Sequence, residues 1–252
     1  MDSHHQRRRV IGVSLKMYMG VARTRLWMTD LAASLEKGGL PADVDLFVIP
    51  SFLSLQDARG VLAGTGVFLG AQDMFWEDHG AYTGEISAPM LVEAGCRFVE
   101  IGHAERRRLF NETDDIVARK VSAAARAGLV PVLCVGEETP MTPGEAILEC
   151  SRQLATATAG TDPQEPLVLA YEPVWAIGAA EPPPAAYITA VAHGLRAALQ
   201  GRPAARLIYG GSAGPGLLTT LGKAVDGLFL GRFAHDIKAL RSILDEAVAA
   251  AL

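Results

Sequence analysis

Long apolar runs are missing from this 252-residue sequence, although half of its residues are hydrophobic. A membrane-spanning helix needs about 20 consecutive apolar residues, and no stretch approaches that length. A secretory signal needs an apolar segment near its start, whereas residues 1–9 are polar and basic. We therefore expect a cytoplasmic protein without membrane contact, with a disordered tail at residues 1–9 and one folded domain over residues 10–252.

Cysteine is scarce, and its spacing argues against a disulfide or metal framework. The three cysteines, Cys96, Cys134 and Cys150, cannot all pair with one another and form no CxxC motif. Cys96 and Cys134 lie in or beside apolar runs, which is typical of buried thiols in a reducing compartment. No cluster of histidine, cysteine and carboxylate residues has metal-ligand spacing. We expect neither a metal nor another cofactor.

An excess of positive charge is also missing, since the formal net charge is −5. The basic clusters at residues 7–9 and 106–108 are isolated and do not form a stripe. This pattern gives no support to nucleic-acid binding. A small anion needs only local positive groups, so the net charge does not decide whether one binds.

The sequence does contain eight short apolar runs that alternate with segments of helical composition. Each run is near-continuous, as in parallel strands that are covered on both faces. The runs are residues 10–13, 46–49, 67–70, 98–101, 130–135, 167–170, 206–209 and 227–230, and the clearest helical segments are 114–127, 142–157, 185–199 and 236–251. No Gly/Pro-rich linker divides them, and no GxGxxG turn follows the first run, as an open doubly wound sheet would favour. The pattern predicts an α/β fold with a single (β/α)8 TIM barrel.

In such a barrel the chemistry belongs to residues at the carboxyl ends of the strands. Those positions hold a small polar set: Ser14, Lys16, His103, Glu105, Glu172, Gly210, Gly211, Ser212, Gly231 and Arg232. Each is a weak signal alone, but a carboxylate such as Glu172 seldom lies among apolar residues without a partner. Glycine-rich turns after strands seven and eight suit a phosphate group, because glycine lets backbone N–H groups approach an anion closely.

Several of these residues lie in segments that resemble the triosephosphate isomerase family. The segments read AQD at 71–73, AYTGEIS at 81–87, GHAERR at 102–107, YEPVWAIG at 171–178 and YGGS at 209–212. The resemblance extends from Val10 to the C-terminal helix. It implies a cofactor-independent isomerase of a short sugar phosphate, in glycolysis and gluconeogenesis if the substrate is a triose. It also implies a homodimer formed through the loop around Thr83.

The resemblance also implies roles for individual residues. Glu172 would act as the base and His103 as a neutral electrophile, a pairing that is well known in this family. Lys16 would stabilise the enediolate, and Glu105 would either act directly or hold Lys16 in an ion pair. The substrate would be bound by Ser14 and Lys16, and its phosphate group by N–H groups of Gly178, Ser212, Gly231 and Arg232.

The sequence departs from the family pattern around the expected substrate. Ser14 replaces an asparagine, and Arg232 replaces the second glycine of a phosphate turn. The segment from Pro173 to about Pro182 resembles the family's lid over the phosphate, and three prolines, residues 182–184, stiffen its far end. The three-carbon substrate is slightly favoured over a four-carbon erythrulose phosphate, for which Ser14 would leave room. A non-catalytic sugar-phosphate-binding barrel is a further alternative. Glu100, inside an apolar run, needs a partner such as an arginine on an adjacent helix.

Overall fold

A computed structural model of the protein describes residues 8–179 and 181–249. Within these residues eight parallel strands pair in chain order, and the last pairs with the first to close a barrel. The strands are β1 (Arg9–Ser14), β2 (Val44–Ile49), β3 (Phe68–Ala71), β4 (Cys96–Ile101), β5 (Val130–Val135), β6 (Leu167–Tyr171), β7 (Ala205–Tyr209) and β8 (Gly227–Leu230). The predicted (β/α)8 barrel is confirmed.

Nine α-helices of the described chain connect and cover these strands. They are α1 (Val21–Gly38), α2 (Leu55–Val61), α3 (Ala88–Glu93), α4 (Ala104–Phe110), α5 (Asp114–Arg126), α6 (Pro143–Thr158), α7 (Ala185–Ala198), α8 (Leu217–Leu221) and α9 (Ile237–Ala249). The start of α6 shows why the sequence signals worked. Thr142 accepts a hydrogen bond from the backbone N–H of Glu145, whose side chain bonds back to Thr142 in a capping box.

The first strand begins at Arg9, one residue before the predicted domain boundary at residue 10. Arg9 is not part of a tail: it begins β1, is buried, and donates hydrogen bonds to the carbonyl oxygens of Gly222 and Val225 at 3.0 and 2.6 Å. Arg8 is described too and donates to the carbonyl oxygen of Val44 at 2.9 Å, whereas residues 1–7 of the predicted tail lie outside the described residues. So do Ala180 of the expected lid and residues 250–252 at the end of the last predicted helix.

Side chains inside the barrel form an apolar cluster that is separate from the layer between strands and helices. Because side chains alternate along a strand, Phe98 and Ala170 in this cluster place Glu100 and Glu172, two residues further on, on the same interior face. Ser14 lies on this interior face as well, because it comes four residues after Val10 on β1. Polar groups therefore meet at the carboxyl end of the barrel interior, above an apolar floor.

The described residues carry further features that bear on the sequence expectations. None of their helices is long and apolar enough to cross a membrane. No group of three or more histidine, cysteine or carboxylate residues in this part of the chain is arranged to hold a metal ion. The three cysteines are free and buried.

The close pairing of β8 with β1 predicts a strong effect of adding one methyl group at Gly227. A Cβ atom there would collide with the backbone carbonyl of Val10, which cannot move aside as a side chain does. We expect Gly227→Ala to lower the free energy of unfolding by about 1–3 kcal/mol in a denaturant titration. Gly60→Ala is the matched control, since its Cβ would meet nothing within 4 Å and alanine favours a helix. Equal stabilities of the two variants would contradict this account of the barrel closure.

Candidate active site

Lys16 lies in the loop after β1 and projects its ammonium group into the mouth of the barrel. Its backbone has a positive φ of 46°, and the side-chain amide of Gln72 donates to its carbonyl oxygen at 3.0 Å. The Nζ atom lies 2.8 Å from Oε1 of Glu105. Burial lowers the pKa of Lys16, but the carboxylates of Glu172 and Glu105 outweigh it and raise the pKa overall. The site therefore contains a permanent cation.

His103 is held in one orientation and one protonation state. The chain turns at Gly102, which has a φ of 73°, so that His103 caps the start of α4. Its Nδ1 accepts a hydrogen bond from the backbone N–H of Glu105 at 3.1 Å, which leaves the ring proton on Nε2. Burial and the charge of Lys16 lower the pKa of His103 to about 4. The imidazole is neutral at physiological pH.

Two hydrogen-bond donors face one another at the centre of the site. Nζ of Lys16 and Nε2 of His103 are 3.1 Å apart. Since Nε2 carries a proton and an ammonium group has no lone pair, neither atom can accept from the other. An oxygen atom placed against both would accept from both. The pair is therefore suited to an oxyanion that develops during a reaction.

Glu172 follows β6 and presents a carboxylate to the same point. Its Oε2 lies 3.4 Å from Nε2 of His103 and is buried without a hydrogen-bond partner in the described part of the chain. Burial raises the pKa of Glu172 to about 8, although Lys16 opposes the shift. A Cβ atom at Gly210 would collide with the Glu172 side chain, so glycine at the start of the β7 turn makes room for it. The geometry is that of a base facing two donors.

The partner of Glu100 is not the expected arginine. Its Oε2 accepts a hydrogen bond from the Ser14 hydroxyl group at 2.8 Å, and its Oε1 lies 3.9 Å from Nε2 of His103. Burial raises the pKa of Glu100 to about 7. The sequence prediction failed because it sought a partner on a helix outside the barrel, whereas Glu100 points inward.

The residues predicted to bind phosphate line the same cavity as Lys16 and Glu172. They are Gly178, Ser212, Gly231 and Arg232. Gly178 has a φ of 78°, and a Cβ atom there would lie 3.8 Å from a terminal nitrogen of the Arg232 guanidinium group. Arg232 itself is exposed at the rim of the cavity. The structure thus brings all the predicted site residues to one end of the barrel.

The hydroxyl group of Ser212 is already used in bonds to the lid. It donates to the carbonyl oxygens of Ala176 and Ala179 at 3.2 and 2.7 Å. The turn after β7 is therefore tied to the segment that follows Glu172. Because the hydroxyl group donates to the lid, the backbone N–H is the donor that Ser212 can offer to an anion.

Sequence reasoning missed Glu137, which anchors the lid from beneath. This buried carboxylate accepts hydrogen bonds from Tyr171 Oη, Trp175 Nε1 and Tyr187 Oη at 3.2, 3.0 and 2.9 Å. It joins the end of β6, the start of the lid and the helix after it. Its signal was present: Glu137 follows β5, so the strand-end rule applied evenly to all eight strands would have found it.

Comparison with known proteins agrees with this geometry. The family model described as triosephosphate isomerase matches residues 9–247. The chain belongs to the triosephosphate isomerase family. It is accordingly an enzyme, a sugar-phosphate isomerase of the triosephosphate isomerase type.

Individual relatives differ in what their names say they act on. An L-erythrulose-1-phosphate isomerase of Pectobacterium atrosepticum is 52% identical over 250 residues, covering 96% of each chain. A protein of the same name from Brucella abortus is 40% identical over 243 residues, covering 93% of this chain and 94% of the relative. A triosephosphate isomerase of Symbiobacterium thermophilum is 40% identical over 215 residues, covering 82% and 83%.

The buried state of Glu172 predicts a pH-dependent effect on stability. Its folded-state pKa of about 8 lies above the ordinary value of 4.5, so the protonated carboxyl group is the form that the folded state prefers. Its contribution to stability is fully present below pH 4.5 and is lost as the pH rises through about 8. Glu172→Gln, which cannot ionise, should raise the melting temperature near pH 9 by about 2–4 °C for each kcal/mol gained, with little change near pH 4.

Glu138→Gln is the control for that measurement, because Glu138 is an exposed carboxylate next to the buried Glu137. Its melting temperature should follow that of the unmutated protein at both pH values. A Glu172→Gln variant no more stable than this control near pH 9 would contradict the assignment of a raised pKa.

Proposed function

We propose that this protein isomerises a four-carbon ketose phosphate, L-erythrulose 1-phosphate, by moving its carbonyl group to the neighbouring carbon. Two relatives at 52% and 40% identity that bear this name support the substrate. The three-carbon substrate, which the sequence slightly favoured, is named in relatives at 40% and 38% identity. The comparisons therefore favour the alternative over the first expectation.

The reaction class rests on one observation, the unpartnered Oε2 of Glu172 opposite the donors of Lys16 and His103. Glu172 removes the proton from C3, the carbon that bears the neighbouring hydroxyl group. The oxygen on C2 takes up the negative charge and accepts hydrogen bonds from Lys16 and His103. Glu172 returns the proton to C2, and the carbonyl group forms at C3. Electrons and protons balance within the substrate, so no cofactor takes part.

The protonation states suit this chemistry. A carbon-bound proton is weakly acidic, and a base whose pKa is about 8 removes it more readily than an ordinary glutamate. Neutral His103 keeps its Nε2 proton to donate and can pass it between the oxygens on C2 and C3. The ion pair of Lys16 with Glu105, at 2.8 Å, fixes the ammonium group beside the substrate. Of the two roles open to Glu105, this geometry supports the positioning role.

The phosphate group would bind at the opposite end of the cavity, where Gly178, Gly231 and Arg232 lie. Backbone N–H groups of Gly178, Ser212, Gly231 and Arg232 suit its oxygens, and the Arg232 guanidinium group adds a charged donor. The segment after Glu172, held by Ser212, would close over the substrate and exclude water from the enediolate.

Steady-state assays with both substrates test the proposal. We expect kcat/KM for L-erythrulose 1-phosphate to exceed that for dihydroxyacetone phosphate by at least about tenfold, because Ser14 would leave room for the extra hydroxymethyl group. Glu172→Gln should lower turnover by roughly 100- to 10,000-fold while the phosphosugar still binds. A higher kcat/KM for the triose would restore the first expectation. Binding without turnover of either substrate would favour the non-catalytic barrel.

A homodimer through the loop around Thr83 is part of the same proposal. The loops after β1, β2 and β3 are neighbours at the carboxyl end of the barrel. They expose Met17, Leu53 and Tyr82, whose exposed fractions are 95%, 82% and 43%. Tyr82 packs on Phe75 at a ring distance of 4.5 Å, which gives the loop a fixed shape. Large apolar side chains on adjacent loops are typical of a protein interface.

A charge placed on this surface should break the dimer. We expect Leu53→Glu to convert the protein to monomers in sedimentation experiments. Its activity should also fall, because the loop around Thr83 would lose the partner surface on which it packs. Leu148→Glu is the matched control, since Leu148 is 73% exposed on α6, away from these loops. If Leu53→Glu leaves the mass in solution unchanged, the proposed interface is wrong.

The location in the cell is proposed on a separate ground. Free, buried thiols at Cys96, Cys134 and Cys150 suit a reducing compartment. The absence of disulfide bonds among the described cysteines is common in cytoplasmic enzymes. We therefore expect the protein to act in the cytoplasm.

A further inference from the structure

Glu100 is a buried carboxylate that the proton transfers above do not use. It lies near the end of β4, 3% exposed, on the interior face of the barrel. Among residues 8–179 and 181–249, no lysine or arginine forms an ion pair with it. Its single hydrogen bond within this part of the chain comes from the Ser14 hydroxyl group.

One oxygen of this carboxylate is directed to the reacting centre. Ser14 binds Oε2 at 2.8 Å, whereas Oε1 lies 3.9 Å from Nε2 of His103. Oε2 of Glu172 lies 3.4 Å from the same nitrogen. The two carboxylates thus flank the donor that would hold the substrate oxygens. A hydroxyl group attached next to those oxygens would come within reach of Glu100.

An apolar residue would serve the barrel better if packing were the only demand at this position. Glu100 continues an interior series that includes Phe98, and a buried carboxylate without a cationic partner opposes folding. Burial raises its pKa to about 7. Costly polar groups inside an apolar core are typical of positions that bind a ligand. Recognition of a ligand therefore explains a glutamate at position 100 better than a contribution to folding stability does.

The two substrates differ at the carbon that loses its proton. A four-carbon ketose 1-phosphate carries a hydroxymethyl group there, and dihydroxyacetone phosphate carries a hydrogen atom instead. The hydroxymethyl group brings one additional O–H donor. Ser14 has a short side chain, and its hydroxyl group is turned toward Glu100.

We infer that Glu100 is a specificity-determining residue that accepts a hydrogen bond from the terminal hydroxyl group of the four-carbon substrate, while Ser14 orients its carboxylate. This inference rests on the proposed function. With a three-carbon substrate the Oε1 atom has no such donor, and the buried acceptor stays unpaired. Glu100 thus distinguishes the two substrates at a point that the catalytic residues Lys16, His103 and Glu172 do not contact.

The test compares kcat/KM of the unmutated enzyme with that of Glu100→Gln and Glu100→Leu, using L-erythrulose 1-phosphate and dihydroxyacetone phosphate. Glu100→Leu removes the acceptor and should lower kcat/KM for the four-carbon substrate roughly 10- to 100-fold, whereas Glu100→Gln keeps a neutral amide oxygen and should lower it by a smaller factor. The value for the triose should fall by a smaller factor, because that substrate lacks the additional hydroxyl group and loses only the effect of the Glu100 charge on Glu172 and Lys16. The ratio of the two values is the quantity that the inference predicts.

Glu137→Gln is the matched control, a second buried carboxylate that follows the neighbouring strand. It acts through the lid, so it should lower both values by the same factor. Ser14→Ala covers the case in which the Glu100 variants do not fold. It removes the hydrogen bond that orients Glu100 and should shift the substrate ratio in the same direction.

The outcomes separate the inference from the function on which it rests. Equal losses with both substrates, or no loss with either, in the Glu100 variants would overturn the inference and leave the proposed function standing. If the unmutated enzyme does not turn over L-erythrulose 1-phosphate, both are overturned. A selective loss with the four-carbon substrate supports the inference.

Discussion

The ammonium group of Lys16 is the charge on which the active site depends. Three carboxyl groups, those of Glu100, Glu105 and Glu172, surround it at the carboxyl end of an apolar barrel. Its attraction opposes the burial that raises the pKa values of Glu172 and Glu100. The same charge helps to keep His103 neutral. The backbone of Lys16 adopts a positive φ, a conformation that costs energy for a residue with a side chain.

The fold was predictable because its strands are buried on both faces and therefore appear as near-continuous apolar runs. The same reasoning located Glu172, since a carboxylate directly after such a run lies at the functional end of a barrel. It did not find α4, which begins immediately after His103 and has no buried residue to give it an apolar stripe. Gln72, which supports the backbone of Lys16, was noticed only as part of a motif.

The sequence could not predict which side chains on different strands contact one another. Ser14 and Glu100 are 86 positions apart, and their hydrogen bond depends on how far each strand extends before it turns. An arginine on a helix was a reasonable guess for a carboxylate in a strand, but alternation along β4 directs Glu100 inward. The sequence could not discriminate between the two substrates for a related reason. Intact Lys16, His103 and Glu172 are common to both reactions and do not discriminate between them.

Arg232 has a consequence for how the substrate arrives. The protein carries a formal net charge of −5, so at long range it repels a sugar phosphate. Lys16 is largely buried, whereas the Arg232 guanidinium group is exposed at the cavity rim beside Gly178. At physiological ionic strength charges farther apart than about 8 Å are largely screened. Charges at the cavity rim therefore weigh most in the last few ångströms of an anion's approach, and Arg232 is an exposed cation at that rim.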